Sequence, residues 1–138
     1  MIQILQIDHV VFRTSNTDAM IRFYCDVLGC AIERELSAGL IQLRAGDALI
    51  DLVPAESEMG RQGGRRPDMD RPNVDHICLQ ISPCQDSDLL TWLDKHHIPH
   101  GGFEQRYGAQ GMGASIYLTD PDGNTVELRN RMPHQRDD

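Results

Sequence analysis

A short sequence motif that contains a candidate metal ligand occurs twice in this chain of 138 residues. Ile-Asp-His-Val-Val-Phe occupies residues 7–12, and Val-Asp-His-Ile-Cys-Leu occupies residues 74–79. Each motif contains one histidine, His9 or His76, at its third position. The residues around it are rich in β-branched side chains, which is typical of a strand. Because side chains alternate along a strand, each histidine lies on the face opposite the apolar residues that follow it. The histidine faces are therefore free to line a site.

Two carboxylates stand at matching places in the last strand predicted for each half of the chain. Asp51 and Glu127 both lie on the face opposite their strand's apolar residues. A lone histidine on a strand is more often structural than a ligand, but the repetition of both residue types favours a site. Imidazole suits zinc, nickel, iron and copper, and carboxylates extend the choice to manganese. We therefore predict that His9, His76, Glu127 and Asp51 bind one divalent metal ion.

The helices and strands that would carry these residues follow the same order in both halves. In the first half, an apolar stripe typical of an amphipathic helix precedes Gly29, which is expected to end that helix in a left-handed conformation. The stripe consists of Met20, Phe23, Tyr24, Val27 and Leu28. Strands are then predicted near residues 30–36, 39–45 and 48–53.

In the second half, Leu89, Leu90 and Leu93 predict a helix, and the run Asp120-Pro121-Asp122-Gly123-Asn124 predicts a hairpin turn. Strands are predicted near 103–107, at 114–119 and at 125–129, with a flexible Gly-rich segment at 108–113. The sequence therefore predicts an α+β protein in which the order βαβββ occurs twice. We expect one domain, 1–138, with module one at about 5–53, a linker at 54–72 and module two at about 73–130.

Composition excludes several classes of function. The net charge of −8 argues against a nucleic-acid partner. No apolar run approaches the roughly 20 residues of a membrane helix, and the N-terminus lacks the pattern of a signal peptide. The four cysteines form no CxxC pair and are expected to be reduced. These features predict a cytoplasmic protein without a membrane partner.

The linker contains a cluster of arginines, although the chain as a whole is acidic. Arg61, Arg65, Arg66 and Arg71 all lie in the Gly-rich and Pro-rich linker. A solvated loop is the simpler interpretation, and a site for an anionic ligand is the alternative.

The sequence resembles the vicinal oxygen chelate superfamily, which includes glyoxalases, bleomycin-resistance proteins and extradiol dioxygenases. The resemblance covers about residues 5–130. It rests on Ile-Asp-His-Val-Val, Arg22-Phe23-Tyr24 with Val27-Leu28-Gly29, Val-Asp-His-Ile, and Asp120-Pro121-Asp122-Gly123-Asn124-Thr-Val-Glu-Leu. It implies paired βαβββ modules that form an open, curved sheet cleft around a metal. Small members commonly dimerise, which implies a homodimer here.

The resemblance also implies roles for individual residues. By position, His9, His76 and Glu127 would bind a divalent metal ion, namely zinc, nickel, manganese or iron. Asp51 stands where glyoxalase I-like members place a fourth ligand, usually glutamate. Because aspartate is one methylene shorter, we expect Asp51 to reach the metal through water or not at all.

A substrate contact is implied as well. Arg13 matches an arginine that holds a carboxylate of glutathione in glyoxalase I-like enzymes. Ala55 stands where an asparagine would help to bind the tripeptide, and the segment 108–113 has no lysine. Whether glutathione is used therefore stays open.

Three classes of function follow from the resemblance. The first is a glyoxalase I-like lyase or isomerase, with Glu127 as the base, acting on a small oxygen-chelating substrate, with a thiol adduct as one option. The second is a non-haem Fe(II) dioxygenase or a fosfomycin-type thiol transferase, since His9, His76 and Glu127 alone form a 2-His-1-carboxylate set. The third is a drug-binding protein of the bleomycin-resistance kind, which need not keep metal ligands.

Overall fold

The computed structural model describes residues 1–133, which divide into two compact units at the junction of Asn73 and Val74. Each unit contains one four-stranded sheet. Among the described residues, no helix has the length and apolar composition needed to cross a membrane.

The first unit is built on a sheet of strand order β1-β4-β3-β2. Its strands are β1 (His9–Thr14), β2 (Ala31–Glu35), β3 (Ile41–Ala45) and β4 (Ala48–Pro54). Strands β1 and β4 run parallel, and the other pairs are antiparallel. Between β1 and β2 lie α1 (Thr17–Ile21) and a π-helical segment (Arg22–Val27). A short helix, α2 (Glu58–Arg61), follows β4 inside the region predicted as a linker.

The second unit repeats this plan with strand order β5-β8-β7-β6. Its elements are β5 (His76–Ile81), α3 (Asp86–Lys95), β6 (Glu104–Gly108), β7 (Gly111–Thr119) and β8 (Thr125–Asn130). Strands β5 and β8 are the parallel pair. The predicted α+β class and the repeated βαβββ order are both confirmed, and the two units share one sheet topology.

Each sheet has one predominantly apolar, buried face, as the alternation of side chains predicted. In the first unit, Phe12, Leu43 and Leu52 are completely buried, together with Met20 and Tyr24 of the helical region. In the second unit the equivalent buried residues are Leu93, Ile116, Leu118, Val126 and Leu128. Because these residues occupy one face of each sheet, His9 and His76 are left on the opposite face.

The first helix differs from its prediction. The apolar stripe indicated one continuous α-helix, but residues 22–27 form a π-helix, closed by the hydrogen bond from the Leu28 amide to the Phe23 carbonyl at 3.1 Å. Both helix types bury Phe23 and Tyr24, so the stripe alone could not distinguish them. The predicted left-handed end is confirmed, because Gly29 has a φ of 82°.

The prediction of a flexible segment at 108–113 is wrong. Strands β6 and β7 continue into this region and pair as Tyr107 with Met112 and Gly108 with Gly111. The glycines make room for a side chain, since a Cβ on Gly108 or Gly113 would collide with the guanidinium of Arg129. The composition that indicated mobility therefore reflects close packing around a buried arginine.

Candidate metal site

In the first unit, the start of β1 presents the imidazole of His9. Its Nδ1 donates to Asp8 Oδ1 across 2.6 Å, because an ionised carboxylate can only accept. This hydrogen bond raises the pKa of His9, and the charges of Asp51 and Asp8 add to that effect against a smaller contribution from burial. With Nδ1 engaged, Nε2 is the nitrogen that His9 has available for a metal.

Asp51 lies on the same face of the first sheet, in β4. The strand register pairs it with Val11, two residues beyond His9, and its side chain is only 2% exposed. Oδ2 accepts a hydrogen bond of 3.2 Å from Gln42 Nε2 on β3. Oδ1 is buried and has no hydrogen-bond partner among the described residues. A buried carboxylate oxygen without a partner is costly, which favours a ligand at this position.

In the second unit, His76 repeats the arrangement of His9. Its Nδ1 donates to Asp75 Oδ2 across 2.7 Å, and its Nε2 lies 3.5 Å from Glu127 Oε1. Glu127 is 5% exposed and is paired in register with Cys78 and Tyr117 on the neighbouring strands. The structure thus brings His76 and Glu127 together on one face of the second sheet.

Several donors converge on the carboxylate of Glu127. Ser115 Oγ donates to Oε2 across 2.7 Å. Burial raises the pKa of Glu127, but hydrogen bonds from Ser115, Tyr117 and Cys78 and the charge of His76 together outweigh it, so the pKa lies below its usual value. Glu127 is therefore ionised at neutral pH and available as a ligand.

Cys78 shares this face but is poorly suited to be a nucleophile. Burial raises the pKa of its thiol to about 11, and the charge of Glu127 contributes in the same direction. The thiol is therefore protonated at neutral pH and serves as a donor to Glu127.

The two units thus have matching donor groups that the sequence pattern only partly predicted. Each has a histidine whose Nδ1 is held by the preceding aspartate, and an inward carboxylate two strand positions along the neighbouring strand. The roles of Asp8 and Asp75 were missed, although the repeated Asp-His dipeptide was the signal that could have identified them. Such carboxylate–imidazole pairs orient metal-binding histidines and fix their tautomer.

Arg13, the predicted substrate contact, has its guanidinium engaged within the first unit. Nη1 donates to the carbonyl of Gly64 across 2.5 Å, and Nη2 donates to the carbonyl of Arg65 across 2.7 Å. The side chain lies on the same face of β1 as His9. In this arrangement Arg13 secures the segment that follows α2.

In each unit, the histidine and the neighbouring carboxylate are residue types that bind divalent metal ions. The first unit has the imidazole of His9, oriented through Nδ1, and Asp51, whose buried Oδ1 has no hydrogen-bond partner among residues 1–133. The second unit has the imidazole of His76, oriented in the same way, and the ionised carboxylate of Glu127. Nitrogen and oxygen donors of this kind suit zinc, nickel, manganese and iron. Within residues 1–133, no three histidine, cysteine, aspartate or glutamate side chains are close enough together to form a complete metal site. Each unit by itself brings together one histidine and one carboxylate.

Comparison with known families and proteins gives one consistent result. The family model described as the glyoxalase/bleomycin resistance protein/dioxygenase superfamily matches residues 6–128. Virulence protein STM3117 of Salmonella typhimurium is 31% identical over 124 residues, which are 89% of this chain and 82% of that protein. Its crystal structure has a TM-score of 0.78, with coverage of 95% of this chain and 100% of that one.

Two further solved structures share the fold. An integron cassette protein from V. cholerae has a TM-score of 0.79 at 27% identity, covering 96% of this chain and 99% of its own. A lactoylglutathione lyase from Agrobacterium tumefaciens has a TM-score of 0.65 at 23% identity, covering 91% and 92%. The second likeness concerns the fold alone.

Proposed function

Because this chain belongs to the glyoxalase/bleomycin resistance protein/dioxygenase superfamily, we propose that it is a metal-dependent lyase or isomerase of the glyoxalase type. In this proposal His9, His76 and Glu127 bind a divalent metal ion, which is zinc, nickel, manganese or iron. The substrate is a small molecule with two neighbouring oxygens, for example a thiol adduct.

The observation that carries the proposal is the repeated Asp-His pair beside a buried carboxylate. A protein that merely enclosed an apolar drug would have no need to orient two imidazoles through Nδ1. It would also have no need to bury Asp51 with an oxygen lacking a partner among the described residues. Both features lower the cost of binding a cation.

The chemistry proposed for this chain is a proton transfer. When bound, a divalent metal ion supplies Lewis-acid stabilisation of charge that develops on a substrate oxygen. Glu127 is the proposed base: it takes the proton from the hydroxyl-bearing carbon beside the carbonyl and returns it to the carbonyl carbon, while the hydroxyl proton passes to the former carbonyl oxygen. Ser115 and Cys78 hold that carboxylate in place and keep it ionised before the transfer.

The test combines metal analysis with turnover. Protein purified without chelator should contain about one divalent metal ion per chain, and it should isomerise the adduct of methylglyoxal and glutathione. Chelation should abolish turnover, and re-addition of the metal should restore it. Protein without bound metal that is also not stabilised by zinc, nickel, manganese or iron would refute the proposed function.

Two substitutions of Asp51 should have different effects on metal affinity and turnover. If its carboxylate reaches the metal only through water, Asp51→Ala should weaken metal affinity by only about tenfold, at the low end of the roughly 10–100-fold cost of losing an outer partner. Asp51→Glu adds the missing methylene and should raise turnover by providing a second direct carboxylate. The measurement is a metal titration of both variants. Gln42→Ala is the control, because it removes the hydrogen bond that holds Asp51 while keeping its carboxylate. Complete metal loss in Asp51→Ala would show direct ligation instead.

A second candidate function is a non-haem Fe(II) dioxygenase. It is favoured by the hydrogen bond from Gln42, which ties Asp51 Oδ2 to β3 and leaves His9, His76 and Glu127 as a three-residue set. Oxygen uptake with Fe(II) and a catechol, in the absence of methylglyoxal turnover, would select this alternative.

We also propose that the protein is a homodimer. The side chains of Ile2, Ile4, Leu5 and Ile7 are between 79% and 91% exposed, in a segment that precedes β1. Exposed apolar side chains grouped in this way normally mark a protein–protein interface. Light scattering should give twice the mass of one chain, and Ile4→Ser with Leu5→Ser should shift the protein towards monomer. Met69→Ser, which changes an exposed methionine elsewhere, is the control. A monomeric wild type at micromolar concentration would contradict the proposal.

A further inference from the structure

A basic pocket lies in the first unit, on the segment that follows α2. Its volume is about 320 Å³, and its lining includes Arg13, Arg65, Arg66, Arg71, Pro67 and Pro72. None of the residues that line it carries a carboxylate. Such a concentration of cations is unexpected in a chain of net charge −8. The proposed metal chemistry does not account for it.

The pocket is held in shape by contacts to β1. The guanidinium of Arg13 binds the carbonyls of Gly64 and Arg65. Asn73 joins the other end of the segment to the same strand residue, since its Oδ1 accepts from the Arg13 amide at 3.1 Å and its Nδ2 donates to the Arg13 carbonyl at 3.0 Å. Both ends of the arginine-bearing segment are therefore anchored at one point of the sheet, which reduces the entropy lost when a ligand binds.

Among the described residues, Arg66 is the pocket arginine with an acidic partner, and Arg13 uses its guanidinium donors on backbone carbonyls. Arg66 is paired with Glu56 at 2.5 Å. The nearby carboxylate of Asp68 is turned towards the backbone, where Oδ1 accepts from the amides of Asp70 and Arg71. The side chains of Arg65 and Arg71 have no hydrogen-bond or ion-pair partner among the described residues, and both are exposed.

We propose that this pocket binds the phosphate group of a small phosphate monoester. A phosphate monoester is close to a dianion at neutral pH, so its charge matches those of the guanidinium groups of Arg65 and Arg71. Each guanidinium presents a planar fork that matches two phosphate oxygens, and a tetrahedral dianion allows two forks to converge on one group. Pro67 and Pro72 supply an apolar wall for the organic part of the ligand. This site is separate in its residues from the proposed metal ligands.

The experiment is calorimetric titration of the full-length protein with phenyl phosphate, inorganic phosphate and succinate. Phenyl phosphate should bind most tightly, because it combines the dianion with an apolar ring. Replacing both Arg65 and Arg71 with glutamine should weaken its binding by at least about tenfold, since charge-assisted hydrogen bonds are lost. Both side chains are exposed, so the double variant should fold normally.

Two control variants distinguish binding in this pocket from nonspecific attraction to arginine and from binding at the metal. Arg61→Gln removes a nearby arginine at the end of α2 that does not line the pocket, and it should leave binding unchanged. His76→Ala, which should lose the proposed metal, should also bind phenyl phosphate as the wild type does. Equal weakening by Arg61→Gln would overturn the proposal, as would tighter binding of succinate or no binding of phenyl phosphate. Loss of binding in His76→Ala would assign the anion to the metal and likewise overturn it.

Discussion

Replacing His76 with alanine should reduce metal content from about one ion per chain to background while the fold is retained. The imidazole is 43% exposed at the start of β5, so its removal leaves little cavity. Its Nε2 is the atom proposed to bind the metal, and its loss leaves Glu127 without the imidazole 3.5 Å away. A three-ligand site that loses one imidazole binds metal far more weakly.

The measurement is elemental analysis together with thermal unfolding at increasing metal concentration. Wild-type protein should gain about 2.7 kcal/mol of stability when free metal reaches roughly 100 times its Kd, and the variant should gain almost nothing. His97→Asn is a matched control, because His97 is exposed and has a φ of 55°, a conformation that asparagine accepts readily. Unchanged metal content in the His76 variant would disprove its role as a ligand.

Replacing Asp120 with alanine should produce the largest loss of stability among the changes considered. Asp120 is 3% exposed in the turn between β7 and β8. Its Oδ1 accepts from the amides of Asp122 and Asn124, and its Oδ2 accepts from Asn124 Nδ2, each at 2.9 Å. Alanine would leave these buried donors without that acceptor, at a cost of about 3 kcal/mol or more in the free energy of unfolding.

Thermal and urea unfolding would measure this loss, which corresponds to a decrease in Tm of roughly 10 °C. Asp70→Ala provides the comparison, since Asp70 is an exposed loop aspartate and its removal should change stability by less than about 0.5 kcal/mol. Two variants of equal stability would show that the Asp120 hydrogen bonds contribute little. The turn also positions β8, so Asp120→Ala should loosen Glu127 as well.

Much of this fold could be predicted from the sequence because its signals are local. Runs such as Val-Val-Phe and Ile-Cys-Leu indicate strands by composition, and their alternation assigns His9 and His76 to the polar face. The turn at Asp120–Asn124 is predictable because each residue type has a defined backbone preference, and Gly123 has the left-handed φ of 87° that such a turn requires. The placement of each histidine on the same sheet face as a carboxylate, His9 with Asp51 and His76 with Glu127, follows from this alternation.

Other features depend on contacts that residue type and spacing do not reveal. The Gly-rich segment after β6 was predicted to be flexible because glycine lowers backbone restraint, but here it accommodates Arg129, whose Nη2 donates to the Gly111 carbonyl at 2.9 Å. The guanidinium of Arg13 could be assigned to a ligand by analogy, yet it is engaged by two carbonyls more than 50 residues away along the chain. Long-range hydrogen bonds of this kind have no periodicity that a pattern could detect.

The parallel pairs at the sheet edges also affect the order in which the chain folds. Strands β3 and β4 meet across a turn that pairs Ala45 with Ala48, whereas β1 must find β4 across the 40 residues that separate His9 from Leu49. Closing so long a loop has a high entropic cost, so we expect the hairpins to form early and the parallel strands to dock last. Since His9 and Asp51, like His76 and Glu127, become neighbours only in that late step, a nascent chain holding only its hairpins would lack the proposed metal site. Metal uptake should therefore follow completion of the fold and could not template it.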